Sequence, residues 1–220
     1  MVAMNPSVGS LEFRFNAGRL CLDLPATVRR RASAPHDVLA VPGGAARWLE
    51  EAGLVERPLR LSPARAAELL RLREAIWAAA RALVKRRKLP SSAVQVINRA
   101  AAHPAAVPRL DARALRRSFV ARDAFRSALS SIARDAIELL SSDAAQRIKV
   151  CAQADCRMLF LDGSPAGRRR WCSMNRCGSR SKGRTFRLAQ RLEERRPQGA
   201  THGLARVTRA APGGRRHASR

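Results

Sequence analysis

Four of the chain's five cysteines fall within one thirty-residue stretch, CAQADCRMLFLDGSPAGRRRWCSMNRCGSR, from Cys151 to Arg180. They form two pairs, Cys151–Cys156 and Cys172–Cys177, each with four residues between partners. Four thiolates are a common ligand set for structural zinc, which takes a tetrahedron of sulfurs. A short loop lets two sulfurs reach the same ion, and a second such knuckle closes the site. The linker, residues 157–171, is fifteen residues long, within the usual range for zinc modules. Its RMLFLDGSPAG run reads as a short apolar strand followed by a turn, so the chain doubles back. Two disulfides are a competing reading, but they require an oxidising compartment. An iron–sulfur cluster also takes four thiolates. The spacing excludes a redox C-x-x-C. Structural zinc is the expectation, and four protein ligands leave no open position for catalytic water. Cys21, distant and flanked by leucines, reads as a buried core thiol rather than a fifth ligand.

The formal net charge of 220 residues is +26. Such a surface attracts polyanions. Lys supplies only four of the 43 basic residues, so GC-rich coding accounts for part of the arginine excess. The distribution is more telling, because residues 168–220 hold 16 basic and 2 acidic residues. Arg168, Arg169 and Arg170 precede the second cysteine pair, Arg176 lies within it, and Arg180, Lys182, Arg184 and Arg187 follow it. These eight are the candidate nucleic-acid contacts, held on a metal-stapled scaffold. Trp171 either packs over the knuckle as a small core or stacks on a base.

Helical patterning dominates the preceding 145 residues or so. Ser62–Pro63 is a good helix start, with Ser as N-cap and Pro at the first helical position. Leu69, Leu72, Ile76, Ala80 and Leu83 then recur at three- and four-residue spacing. KRRK, residues 85–88, ends that helix, either as a solvated cap complementing the macrodipole or as a phosphate contact. AARWLEEAGL reads as a short helix closed by Gly53, and SSAVQVINRAAA as another. A long amphipathic helix from about Val120 to Leu140 is marked by Phe125, Leu129, Ile132, Ala136 and Leu139. RLDARALRRS fits strand or helix equally. Near the start, LEFRF alternates as a short strand does, and GRLCLDLPATV alternates likewise until Pro25. After the cysteines, RTFRLAQRLEERR reads as a basic helix with Phe186 and Leu188 or Leu192 inward. From Pro197 the chain loses periodicity and reads as disordered. The expected fold class is mainly α: a helical N-terminal domain with a small β element, then a four-cysteine zinc module and a basic helix.

The N-terminal residues lack a basic stretch followed by an apolar run, and no uncharged apolar stretch approaches the ~18–20 residues that span a bilayer. A cytoplasmic location is expected, nucleoid-associated if the partner is DNA, with no membrane partner. Catalysis is not expected. His36, His103, His202 and His217 fall in loops or tail without a neighbouring nucleophile, and the carboxylates form no pair. Asp23 alone sits in a motif-like setting.

The cysteine stretch resembles the CGNR zinc finger, whose second knuckle reads R-R-W-C-S-x-x-x-C-G-N-R-x-K. Asp162, Ser164, Arg169, Arg170, Trp171, Cys172, Ser173, Cys177, Gly178, Arg180 and Lys182 stand in matching places. In that family the finger follows a mainly helical domain called ABATE, in stress-induced transcription regulators. The early ABATE motif resembles G-x-L-C-L-D-F-x-N-T, and GRLCLDLPATV keeps Gly18, Leu20 to Asp23 and Thr27. Ser179 and Ala26 replace the two family Asn residues. The resemblance implies an ABATE-like domain at 1–146 and a finger at 147–192; composition adds the expectation of a disordered basic tail at 193–220. The resulting expectation is a zinc-stabilised DNA-binding transcriptional regulator whose helical domain senses a signal or mediates assembly. The alternatives are a zinc-stapled module that binds an acidic protein partner, or an RNA-binding protein. Target sequence, inducing signal and oligomeric state are not written in the residues.

Overall fold

Ser62 begins the longest helix as its residue type requires: its Oγ accepts from the Arg65 amide at 3.3 Å, and Pro63 needs no partner for its missing N–H. In the computed structural model, which describes residues 13–113 and 116–194, α1 is a single turn, Leu20–Asp23. Helices α2 (Gly44–Glu51), α3 (Pro63–Val84), α4 (Ser91–Ala101) and α5 (Ala124–Ser141) follow, and α6 (Ser179–Glu194) comes last. Three antiparallel two-stranded ribbons punctuate them. These are β1 (Val28–Arg29) with β2 (His36–Asp37), β3 (Val107–Asp111) with β4 (Arg116–Val120), and β5 (Ile148–Val150) with β6 (Leu159–Leu161). The disordered-tail reading from Pro197, and Leu11 and Glu12 of LEFRF, lie outside the described residues.

Helices α3, α4 and α5 pack together through the periodic apolar positions. Leu69, Leu72 and Ile76 of α3 meet Phe125, Leu129, Ile132 and Leu139 of α5, all within 1% of full burial. Alanines fill the close approaches. Ala79, Ala80, Ala133 and Ala136 are wholly or almost wholly buried, which lets the helices approach without large side chains between them. Helix α5 starts at Ala124, four residues later than the periodicity suggested, because Asp123 accepts from the Arg126 amide at 3.1 Å and sets the N-cap. The undecided RLDARALRRS becomes the β3–β4 ribbon, with Arg109 opposite Ser118. Gly53, at φ +70°, closes α2 in the left-handed conformation.

GRLCLDLPATV is not a strand. Leu20–Asp23 make one helical turn and Pro25–Thr27 a 3₁₀ turn. The alternation misleads because Cys21, Leu22, Asp23 and Leu24 are all buried, so polarity marks no face. A distant residue fixes the turn: Asp135 of α5 accepts from the Cys21 amide at 2.8 Å and from Arg19 Nε at 2.8 Å. Asp23 in turn accepts from the Ala17 amide at 2.8 Å. In LEFRF, Phe13–Phe15 lie outside any strand.

The chain divides at Lys182–Gly183 into two units. The cysteine stretch belongs to the first and shares its core with the helices. Gly18 shows how closely they join. At φ +90° it passes the finger so tightly that a Cβ there would sit 3.1 Å from Leu161 Cβ and 3.2 Å from its carbonyl oxygen. Within the second unit Phe186 and Leu188 are exposed, which corrects the inward orientation read from their spacing: a basic helix with so few apolar side chains has little face to bury.

Candidate metal centre and basic surface

The β5–β6 ribbon builds the first knuckle. Lys149 stands opposite Phe160 in its register, and the Cys151 amide donates to Met158 O at 2.8 Å, so Cys151 and Cys156 leave and re-enter the ribbon side by side. The second knuckle is brought alongside by Ala152 N donating to Arg170 O at 2.9 Å. A single π-type turn, Met174–Gly178, then carries Cys177 back, with its amide donating to Ser173 O at 3.0 Å. Gly178 leaves room for the Met174 side chain there, whose Sδ would lie 3.3 Å from an added Cβ.

All four sulfurs of Cys151, Cys156, Cys172 and Cys177 lie within 4.8 Å of one another, and all four residues are buried. Sulfurs bound at 2.3 Å in a tetrahedron are about 3.8 Å apart. Cys156 and Cys172 are 3.7 Å apart and Cys172 and Cys177 3.5 Å, so the donor set fits such an ion. Cys21 is buried elsewhere and is absent from the cluster, and burial pushes its thiol up. Within the cluster, hydrogen bonds from Cys151, Cys156 and Cys172 hold the Cys177 thiol below its ordinary range. Arg180 Nη2 adds a further donor at 3.4 Å from the Cys177 sulfur.

Asp162 organises the linker. It is fully buried and accepts from Lys149 Nζ at 2.7 Å, Ser164 Oγ at 2.6 Å, Ser164 N at 3.1 Å and Arg169 N at 2.9 Å. These donors, the Lys149 ammonium first, hold its carboxyl far below the usual carboxylate range. Lys149 Nζ also donates to Gly167 O, so one cation closes the turn from both ends.

The eight basic residues singled out by sequence divide into distinct groups. Arg169 turns inward, with Nε donating to Trp171 O at 2.9 Å, Nη2 donating to Cys172 O, and its guanidinium over the Phe160 ring at 4.8 Å. Arg180 bonds Asp155 at 3.0 Å as well as Cys177, tying the first knuckle to the second. Arg168, Arg170, Arg176 and Lys182 are exposed in the same unit. Arg170 lies over the Trp171 ring at 5.1 Å, and Trp171 packs half-buried against the core. Arg184 and Arg187 are exposed in the second unit.

Three residues at the centre escaped the sequence reading. Asp155 also reaches Arg30 at 3.7 Å. Lys149 was hidden in a strand. Arg14 comes from the far end of the unit, and burial followed by the Arg176 charge lowers its pKa, against opposing contributions from Cys172, Cys156 and Cys177. The D-x-S spacing of Asp162 and Ser164 was the one local signal for the linker network. No local signal points to Arg14.

Residues 18–143 match the ABATE family, described as "Putative stress-induced transcription regulator". Residues 147–190 match the CGNR zinc finger family. No curated protein matches the chain. Among the described residues no helix is long and apolar enough to cross a membrane.

Proposed function

The chain belongs to the ABATE family and carries a CGNR zinc finger after that domain, and from this we propose that it is a zinc-stabilised, DNA-binding transcriptional regulator. The observation that carries the reading is the cage of four buried sulfurs beside exposed arginines. Zinc bound to Cys151, Cys156, Cys172 and Cys177 supplies the coordinate bonds that fix one knuckle against the other. The protein's own residues do the rest. Arg169 and Arg180 satisfy backbone and sulfur acceptors inside the finger and so hold its shape. Arg168, Arg170, Arg176 and Lys182 present charge outward, with Arg184 and Arg187 continuing on α6. Contacts from these groups to phosphates give affinity, and an arginine reaching guanine edges gives sequence preference. Arg170, backed by Trp171, is the candidate for such a base contact, because its planar group already lies against a ring.

Genomic footprinting of the tagged protein beside a Cys172→Ser control tests this. Discrete sites that vanish in the control support it. A uniform background in both overturns it and moves the function to an acidic protein partner.

A further inference from the structure

The KRRK run at the end of α3 is not used by the finger, and its geometry is unusual. Lys85, Arg86, Arg87 and Lys88 are all exposed. Arg86 has φ +52°, the left-handed conformation that closes many helices. Glycine is the usual residue there, and an arginine holds that conformation at a backbone cost. The cap is already closed by main chain: Arg86 N donates to Leu83 O at 2.8 Å and Arg87 N to Ala82 O at 2.9 Å. None of the four side chains forms an ion pair or side-chain hydrogen bond with another described residue. Several arginines elsewhere on the helical part are paired with acids, Arg19 with Asp135, Arg31 with Glu74, Arg65 with Asp123 and Arg73 with Asp37, whereas these four cations stand consecutively without one among the described residues. Helix-dipole compensation fades beyond the last turn, and Arg87 and Lys88 lie past it. Two of the chain's four lysines stand in this run, so codon preference for arginine does not explain it.

Its position also bears on the matter. Leu89, directly after the run, lines a cavity of about 150 Å³ with Ile137, Leu140 and Ser141 of α5. From Ser141 the chain passes through one 3₁₀ turn, Asp143–Arg147, into β5 of the finger. The unpaired cations therefore stand at the end of the bundle from which the finger emerges.

We propose that Lys85–Lys88 form a second phosphate-binding surface, on the helical domain, that grips the backbone of a DNA duplex alongside the finger. This rests on the DNA-binding reading above. The contact is to phosphates and carries no sequence preference.

The test uses the full chain, a mixed-sequence DNA duplex and fluorescence anisotropy over a salt series, with thermal melting of each variant. Arg86→Gly is expected to raise Tm by relieving the left-handed arginine and yet to weaken duplex binding. The Arg87→Ala/Lys88→Ala variant is expected to melt as wild type and to flatten the slope of log K against log salt by about 2. Unchanged slopes in both variants, while Arg168→Ala/Arg170→Ala loses affinity, overturn this surface and leave the finger reading standing. A lower Tm for Arg86→Gly also overturns it, since Arg86 then serves the fold. Wild-type protein that binds no duplex overturns both.

Discussion

The amide of Leu161, in the finger, donates to the carbonyl of Ala17, in the segment that leads into α1, across 2.7 Å. Beside it Gly18 leaves no room for a Cβ, which would meet the same leucine. The metal knuckles are thus joined to the helical domain rather than tethered to it. Losing a ligand should be felt throughout the unit. Cys172→Ser is expected to lower the melting temperature of the helices as well as the finger, in one cooperative transition followed by circular dichroism. A finger that melts alone, leaving the helical transition unmoved, would contradict the shared core.

Asp162 sets a pH dependence of known sign. Its folded pKa is depressed, so its stabilisation is present above the unfolded value of about 3.9 and is lost as pH falls through the folded pKa. The difference in unfolding free energy between wild type and Asp162→Asn should therefore be largest near neutrality and shrink below about pH 4. Chemical denaturation at a series of pH values measures it. A difference that stays constant down to pH 3 would deny that the ionised carboxylate matters.

Asp23 should act in the opposite sense. Burial raises its pKa to about 6, against hydrogen bonds from the Ala17 and Asn16 amides. The folded chain then holds a proton that the unfolded chain has lost, so wild-type stability should fall as pH rises from about 4 to about 6. Asp23→Asn keeps an accepting oxygen for the Ala17 amide and removes the charge. It should lack that fall and be at least as stable at pH 7, as comparison of the two denaturation series will show.

The basic residues of the finger should separate into two kinds. Arg168→Ala and Lys182→Ala are each expected to weaken duplex binding and lower the salt slope by about 1, and Arg170→Ala to weaken it and relax sequence preference, all with unchanged zinc retention. Arg169→Ala and Arg180→Ala remove donors to Cys172 O and Cys177 Sγ. They should release zinc more readily to a chelator, before any effect on binding is considered. A competition titration against a chromophoric chelator distinguishes the two sets.

What the sequence disclosed follows the range of the interactions concerned. The cysteine cage is written in spacing alone, because each knuckle closes within six residues. Helices α3 and α5 announce themselves through periodic leucines and alanines, with Ser62 as the cap of α3, whereas the Asp123 cap of α5 emerged only in the structure. The turn at Leu20–Asp23 was misread as a strand because its partner, Asp135, lies more than a hundred residues away and its own residues are buried on every side. For the same reason no local pattern could say that Arg169 and Arg180 turn toward the knuckles. Their roles depend on where Cys172 O and Asp155 arrive after folding. Arg14 is the extreme case, an ordinary surface arginine in the sequence that the fold carries to the sulfur cluster.

The most direct measurement is the zinc content of the full chain, purified under reducing conditions without added metal and assayed by elemental analysis beside Cys151→Ser and Cys177→Ser. One zinc per wild-type chain, lost from both variants, is the expected result. A wild-type chain without stoichiometric zinc, or variants that keep it, would contradict the four-sulfur centre on which the proposed function is built.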